Sequence, residues 1–189
     1  MQNDSHTADS PLDNNIVYQD SLPLSVKLAK ASDSLSLGEQ RKNLELLKSY
    51  WIFHETRTDD LKEHPELQIH LERIELKLDM QSEMLAMLLH QSIKLPVAQT
   101  FSLGAETFIS TLNEQYPVGS TMRIELFLMP EYPKPLIFFA KLLAQESLGN
   151  GYKSTFELQD MDIVCRDMLE KILFRHHRRQ IAQLRQSKV

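Results

Sequence analysis

The chain has 189 residues, with 21 Lys and Arg against 26 Asp and Glu and a formal net charge of -5. That length holds one domain, or one small domain with an extension, and the mild negative charge makes no general case for nucleic-acid binding. A single cysteine, Cys165, excludes an internal disulfide framework and any cysteine-rich zinc site. No apolar run reaches the roughly 18 residues that a membrane-spanning helix needs.

The first fifteen residues, MQNDSHTADSPLDNN, are polar and acidic. They lack the basic and apolar regions of a signal peptide, which predicts a disordered terminus and a cytoplasmic protein. Residues 16–24, IVYQDSLPL, mix apolar and polar side chains and read as an extended arm that packs on another element. Residues 31–36 are a Ser-rich linker. Residues 1–36 are therefore assigned to a polar, partly disordered arm and linker.

Residues 37–54 have a helical period. Leu44, Leu47, Tyr50 and Trp51 share one face, Leu37 and Leu46 lie at its edges, and Asn43 and Lys48 point away. The charged connection TRTDDLKEH, with Thr58 or Asp59 as a cap, ends at Pro65. A short connection between two helices predicts an antiparallel hairpin.

The second helix of that hairpin spans residues 65–92. Its only proline is at the first turn, where proline is tolerated. A heptad fits with Leu71, Leu78 and Leu85 at a and with Leu67, Ile74, Gln81 and Leu88 at d. Ile69, Leu76, Met80, Met84, Met87 and Leu89 widen the apolar surface beyond a two-stranded seam, which suits a bundle or higher oligomer. Residues 37–94 thus form a helical hairpin that contains the oligomerisation helix. Gln81 is the polar seam position that selects register and oligomeric state.

After Pro96 the period changes to strand-like runs separated by turns. Residues 97–109 form one or two short strands around Ser102-Leu103-Gly104, and residues 116–119 (YPVG) form a turn. Residues 121–129 alternate as a half-buried strand, which Pro130, Pro133 and Pro135 end. Residues 136–143 and 152–158 form two more strands joined at Gly149-Asn150-Gly151. A helical period then returns through Met161, Val164, Cys165, Met168, Leu169, Ile172 and Leu173. Asp160 is placed at its N-cap, and Asp162 adds negative charge there. The tail FRHHRRQIAQLRQSKV continues this helix with basic residues and no acidic ones. Residues 95–189 read as a small antiparallel barrel or sandwich closed by a helix, and the chain as α+β.

Motifs for phosphate loops, dinucleotide folds, zinc proteases and serine hydrolases are all absent from the sequence. The carboxylate pairs Glu72/Glu75 and Asp160/Asp162 are explained by helix surface and helix dipole. His176 and His177 point in different directions on a helix and are flanked by arginines, so they predict no metal site. Cys165 reads as a buried structural thiol. The chain is therefore read as a non-enzyme without cofactor. Arg175, Arg178 and Arg179 remain as candidate anion contacts, against the alternative of a solvated basic face.

The strand order from Val97, the Pro-rich turn after the long strand and the closing helix ending FRHHRRQIAQLR resemble a PilZ domain. IVYQDSLPL, NLELLKSYW and LERIELKLDMQSEMLAMLL resemble a PilZ-like subgroup with inserted or N-terminal helices and heptads. The resemblance implies a six-stranded barrel, a C-terminal helix, assembly through the long helix with a tetramer favoured, and cyclic di-GMP as ligand. The family binds that dinucleotide with R-x-x-x-R before the barrel and D/N-x-S-x-x-G on an early strand. The segment aligned with the first motif, residues 90–96, has Lys94 and no arginine. The second falls on residues 102–107, with Ser102, Gly104 and Thr107 at its three defining positions. Lys94 is a poor substitute for two bidentate arginines, so the usual mode predicts weak or absent binding.

The leading reading is a self-associating PilZ-like signalling or adaptor protein. It takes an unidentified protein partner through the barrel or the basic tail, in cyclic di-GMP-linked control of motility, biofilm or virulence. The second is a cyclic di-GMP receptor remodelled around Arg175, Arg178 and Arg179. The third is a nucleic-acid-binding protein using the basic helix, against which the acidic residues elsewhere argue.

Overall fold

The computed structural model describes residues 16–54, 65–149, 151–159 and 161–186. Its elements follow in the order β1 (Tyr18–Leu28), α1 (Leu37–Phe53), α2 (Pro65–Ser92), β2 (Ala98–Leu103), β3 (Thr107–Leu112), β4 (Thr121–Leu126), β5 (Leu136–Leu148), β6 (Gly151–Gln159) and α3 (Ile163–Gln186). The six strands close an antiparallel barrel in the order β1-β2-β3-β6-β5-β4. This is the α+β barrel with a closing helix that the pattern predicts.

The first strand corrects the expected partition. Residues 18–23 of β1 pair with residues 103–98 of β2, and residues 24–28 pair with residues 126–122 of β4. The barrel is therefore not confined to residues 95–189, and both helices are inserted after its first strand instead of preceding it. The segment read as an arm is the strand that closes the barrel. It escapes the strand pattern because Pro23 sits where β1 changes partner. A proline donates no ladder hydrogen bond, and this one accepts at its carbonyl from the Phe127 N–H at 3.0 Å.

The barrel interior is aromatic and aliphatic. Phe108, Phe138, Phe156, Met122, Ile124 and Leu126 are fully buried. Phe108 meets Phe138 edge to face at 5.5 Å between ring centroids, a geometry that ring quadrupoles favour. A register shift between Leu142 and Ala144 turns Leu143 outward. Gly119 closes the turn before β4 with φ +91°, which a side chain would strain.

α1 opens with a capping box. The Ser36 side chain accepts from the Glu39 N–H, and the Glu39 carboxylate accepts from the Ser36 N–H at 2.9 Å and the Ser36 hydroxyl at 2.7 Å. These Ser36 hydrogen bonds, with Arg123 at 2.9 Å behind them, hold the Glu39 carboxyl down at about 2. The helix packs mainly on α3 and β5. The connection expected to make an antiparallel hairpin with α2 spans residues 55–64 and, with Thr58 and Asp59, lies outside the described residues.

Asn43 also departs from expectation. It is 1% exposed, not turned to solvent. Its Oδ1 accepts from the Ile137 N–H at 2.9 Å, and its Nδ2 donates to the Ile137 carbonyl at 2.6 Å. β6 ends at Gln159, opposite Phe139, so Ile137 lies two residues beyond the end of that ladder. One side-chain amide thus completes the sheet edge where the strand stops. Its face was legible, because Asn43 shares a helical side with Leu46, Leu47 and Tyr50.

α3 begins at Ile163, where Asp162 accepts from the Val164 N–H at 3.0 Å. Asp160, the expected cap, lies outside the described residues. Cys165, Leu169, Ile172 and Leu173 are buried against the core as expected, while Val164 is half exposed. Asn43→Ala leaves both Ile137 peptide groups without their partner in a partly buried site. Chemical denaturation should show a loss of about 2–4 kcal/mol, from roughly 1–3 kcal/mol per orphaned group with partial relaxation.

Candidate ligand and assembly surfaces

The residues aligned with the usual dinucleotide motifs do not converge. Ser102 and Thr107 flank the β2–β3 turn, where the Gly104 N–H donates to the Thr107 carbonyl at 2.8 Å. A Cβ on Gly104 would lie 3.0 Å from the Thr107 hydroxyl, so the turn is closely packed. Lys94 is exposed in the segment between α2 and β2. Six residues of β2 separate it from the turn, about 20 Å at strand rise. The two candidates therefore lie at opposite ends of β2. The strand end beside the turn is Tyr18, which pairs with Leu103. Residues 1–26 of the sequence contain no Lys or Arg.

The three arginines of α3 divide by task. Arg175 lays its guanidinium over the Trp51 ring, 3.2 Å from its centroid, and donates to the Trp51 carbonyl at 3.1 Å. Arg179 donates to the His54 carbonyl. α1 has no basic residue in its own last turn, so arginines from α3 supply the cations that its terminal carbonyls and dipole favour. Arg178 is exposed and lies over Phe174 at 5.8 Å. An open groove of about 400 Å³ runs between these helices, lined by Trp51, Lys171, Phe174, Arg175, Arg178, Arg179 and Ala182.

Under the groove lies a cluster that periodicity does not reveal. Tyr18 donates to the Asp20 carboxylate at 2.6 Å and meets the His176 ring edge to face at 4.3 Å. Tyr50 stacks on His54 at 4.0 Å. Burial, then the hydrogen bond to Asp20, pushes the Tyr18 phenol far above its ordinary range. Burial also raises Tyr50. His176 is held below its ordinary value by burial, while Asp20 opposes and Arg179, His177 and His54 reinforce the depression. Its Nδ1 is buried and has no hydrogen-bond partner. These groups join β1, α1 and α3 by packing. The Cys165 thiol, raised by burial, donates to the Gln40 carbonyl at 3.6 Å. Among the described residues no three His, Cys, Asp or Glu gather as metal ligands, and no helix is long and apolar enough to cross a membrane.

The assembly residues lie along α2. Leu67, Ile74, Leu78, Leu85 and Leu88 are 49–63% exposed in the single chain. Leu71 is half-buried and Gln81 is exposed. The expected a and d positions thus form an apolar line with little cover from their own chain.

Residues 47–186 match the sequence family described as the atypical PilZ domain, cyclic di-GMP receptor. No curated protein matches the chain significantly. Among solved structures, a tetrameric PilZ domain protein of Xanthomonas campestris, self-assembled through an unusual helical bundle, is 25% identical. The match covers 90% of this chain and 92% of that one, with a TM-score of 0.71. The Bacillus subtilis inhibitor of motility MotI/DgrA is 16% identical over 46% of this chain and 43% of its own, with a TM-score of 0.36.

His176 gives a pH dependence of defined sign. As pH falls through about 6.5, the unfolded chain takes up the proton before the folded one does. The contribution of neutral His176 is complete above that value and is lost as pH falls below it. Thermal unfolding between about pH 7.5 and 5.5 should show Tm falling with pH. His176→Phe should flatten that slope, and an unchanged slope would assign it to other groups.

Proposed function

We propose that this chain, which belongs to the atypical PilZ family of cyclic di-GMP receptor domains, is a non-catalytic signalling module that works as an oligomer. Its site is the apolar seam of α2, and its response to cyclic di-GMP by the usual motifs is weak or absent. The observation that carries this reading is the exposure of Leu67, Ile74, Leu78, Leu85 and Leu88 along one side of a 28-residue helix. Such a line has its natural cover in further copies of the same helix. Gln81, the polar d position within that line, is the residue that sets the number of strands. A relative that matches over 90% of this chain is a tetramer built through a helical bundle, which supports the same state here.

The ligand side of the reading rests on chemistry. Two phosphates and two guanines call for bidentate cations and donors to base edges. The matching turn offers Ser102, Gly104 and Thr107, and Lys94 lies at the far end of β2. Arg175 and Arg179 are directed at carbonyls of α1, which weakens the reading of a site remodelled around the arginine cluster. The module then acts in the cytoplasm by presenting several barrels, with their basic closing helices, to a protein partner.

Light scattering of the purified chain should give a mass several times that of the monomer. Leu78→Asp places a charge in the seam and should reduce the mass to that of one chain while the far-ultraviolet circular dichroism of the barrel is kept. A monomeric wild type would sink the assembly reading. Titration calorimetry should detect no cyclic di-GMP binding tighter than about 10 μM, or about −6.8 kcal/mol. Tighter binding that disappears in Arg178→Ala would establish the remodelled receptor instead.

A further inference from the structure

α2 carries a second apolar stripe. Ile69, Leu76, Met80, Met84 and Met87 follow at steps of seven, four, four and three residues, so they share one side of the helix. That side lies roughly 150° around the axis from the seam of Leu71, Leu78 and Leu85. All five are 56–65% exposed. Assembly through the first seam leaves this stripe outside the bundle, as five large apolar side chains facing water. Three of them are methionines, whose flexible thioethers adapt to an irregular partner surface.

A surface of matching size and opposite charge lies on α3. Phe174 and Ile181, one heptad apart, are 51% and 37% exposed. They alternate with Lys171 and Arg178, also one heptad apart, beside the groove over Trp51 that ends at Ala182. No acidic residue follows Glu170 in the chain. The facing part of α2 is mildly acidic, because residues 76–87 hold Asp79 and Glu83 against Lys77, a net charge of −1. From Leu76 to Met87 the stripe is about 16 Å long, and Lys171 to Ala182 spans the same length. The two faces are therefore both apolar and opposite in net charge.

We propose that the second stripe of α2 in one copy docks in the α1–α3 groove of another copy. The oligomer then has two kinds of seam, α2 against α2 and α2 against a neighbouring barrel. This rests on the assembly reading above and adds to it. The second seam fixes the barrels on the bundle instead of leaving them to swing, and it covers the basic groove.

Cross-linking between mixed copies tests this. In a Cys165→Ala background, one batch carries Met84→Cys and a second, of different mass through an affinity tag, carries Ala182→Cys. After mixing, subunit exchange and mild oxidation, a disulfide dimer of mixed mass is expected, and Phe174→Glu in the second batch should abolish it. Leu78→Cys reports the first seam separately. If Leu78→Cys cross-links and the mixed pair does not, the docking proposal fails while the assembly stands. If neither cross-links and the mass is that of a monomer, the assembly reading fails as well. An intrachain disulfide alone in the double variant Met84→Cys/Ala182→Cys would show α2 folding onto its own groove and would overturn the proposal. Should the cysteine variants fail to fold, carbodiimide coupling on the unaltered chain gives the same answer. A bond from Asp79 or Glu83 to Lys171 between isotopically distinct copies is the expected product, and its absence counts against docking.

Discussion

The arrangement of this molecule depends on the amide of Asn43. A closed barrel of strands of unequal length leaves peptide groups without partners, and β5 extends past the end of β6 at Ile137. A buried peptide group without a partner is costly, so this edge had to be covered. Asn43 offers a donor and an acceptor in the spacing of a peptide group, and it bonds both sides of Ile137. That fixes the rotation of α1 on the barrel, which brings Leu46, Leu47 and Tyr50 inward. It also sets the end of α1 against α3.

The same docking decides what the basic residues of α3 do. Helix ends expose carbonyls, and α1 supplies no cation of its own for them. Arg175 and Arg179 reach across to meet Trp51 and His54. A cluster that looks like an anion site in one dimension is thereby divided, with two arginines turned to internal carbonyls and Arg178 left outward. The corner aligned with the usual ligand motifs differs in composition. Its positions carry Ser102, Gly104 and Thr107, and the lysine nearest in sequence lies at the other end of a strand.

What the chain keeps in quantity is apolar helix surface. The heptad line of α2 and the methionine-rich stripe beyond it are both exposed in one copy. A 28-residue helix gains most of its stability from packing, and the proposed assembly supplies that packing. The proposed function accordingly rests on surfaces between copies more than on a pocket within one.

Much of this was legible without coordinates. Strands β4 to β6, the closing helix and the heptad of α2 follow from side-chain period alone, because periods of 2 and 3.6 record local geometry. Membership of β1 in the barrel, the pairing of Asn43 with Ile137 and the division of Arg175, Arg178 and Arg179 were decided by tertiary structure. Each depends on a partner far away in the chain: β4 for residues 24–28, Ile137 for Asn43, and the end of α1 for the arginines. No local period encodes such pairings. They are set by which buried polar groups remain to be satisfied once the barrel has closed.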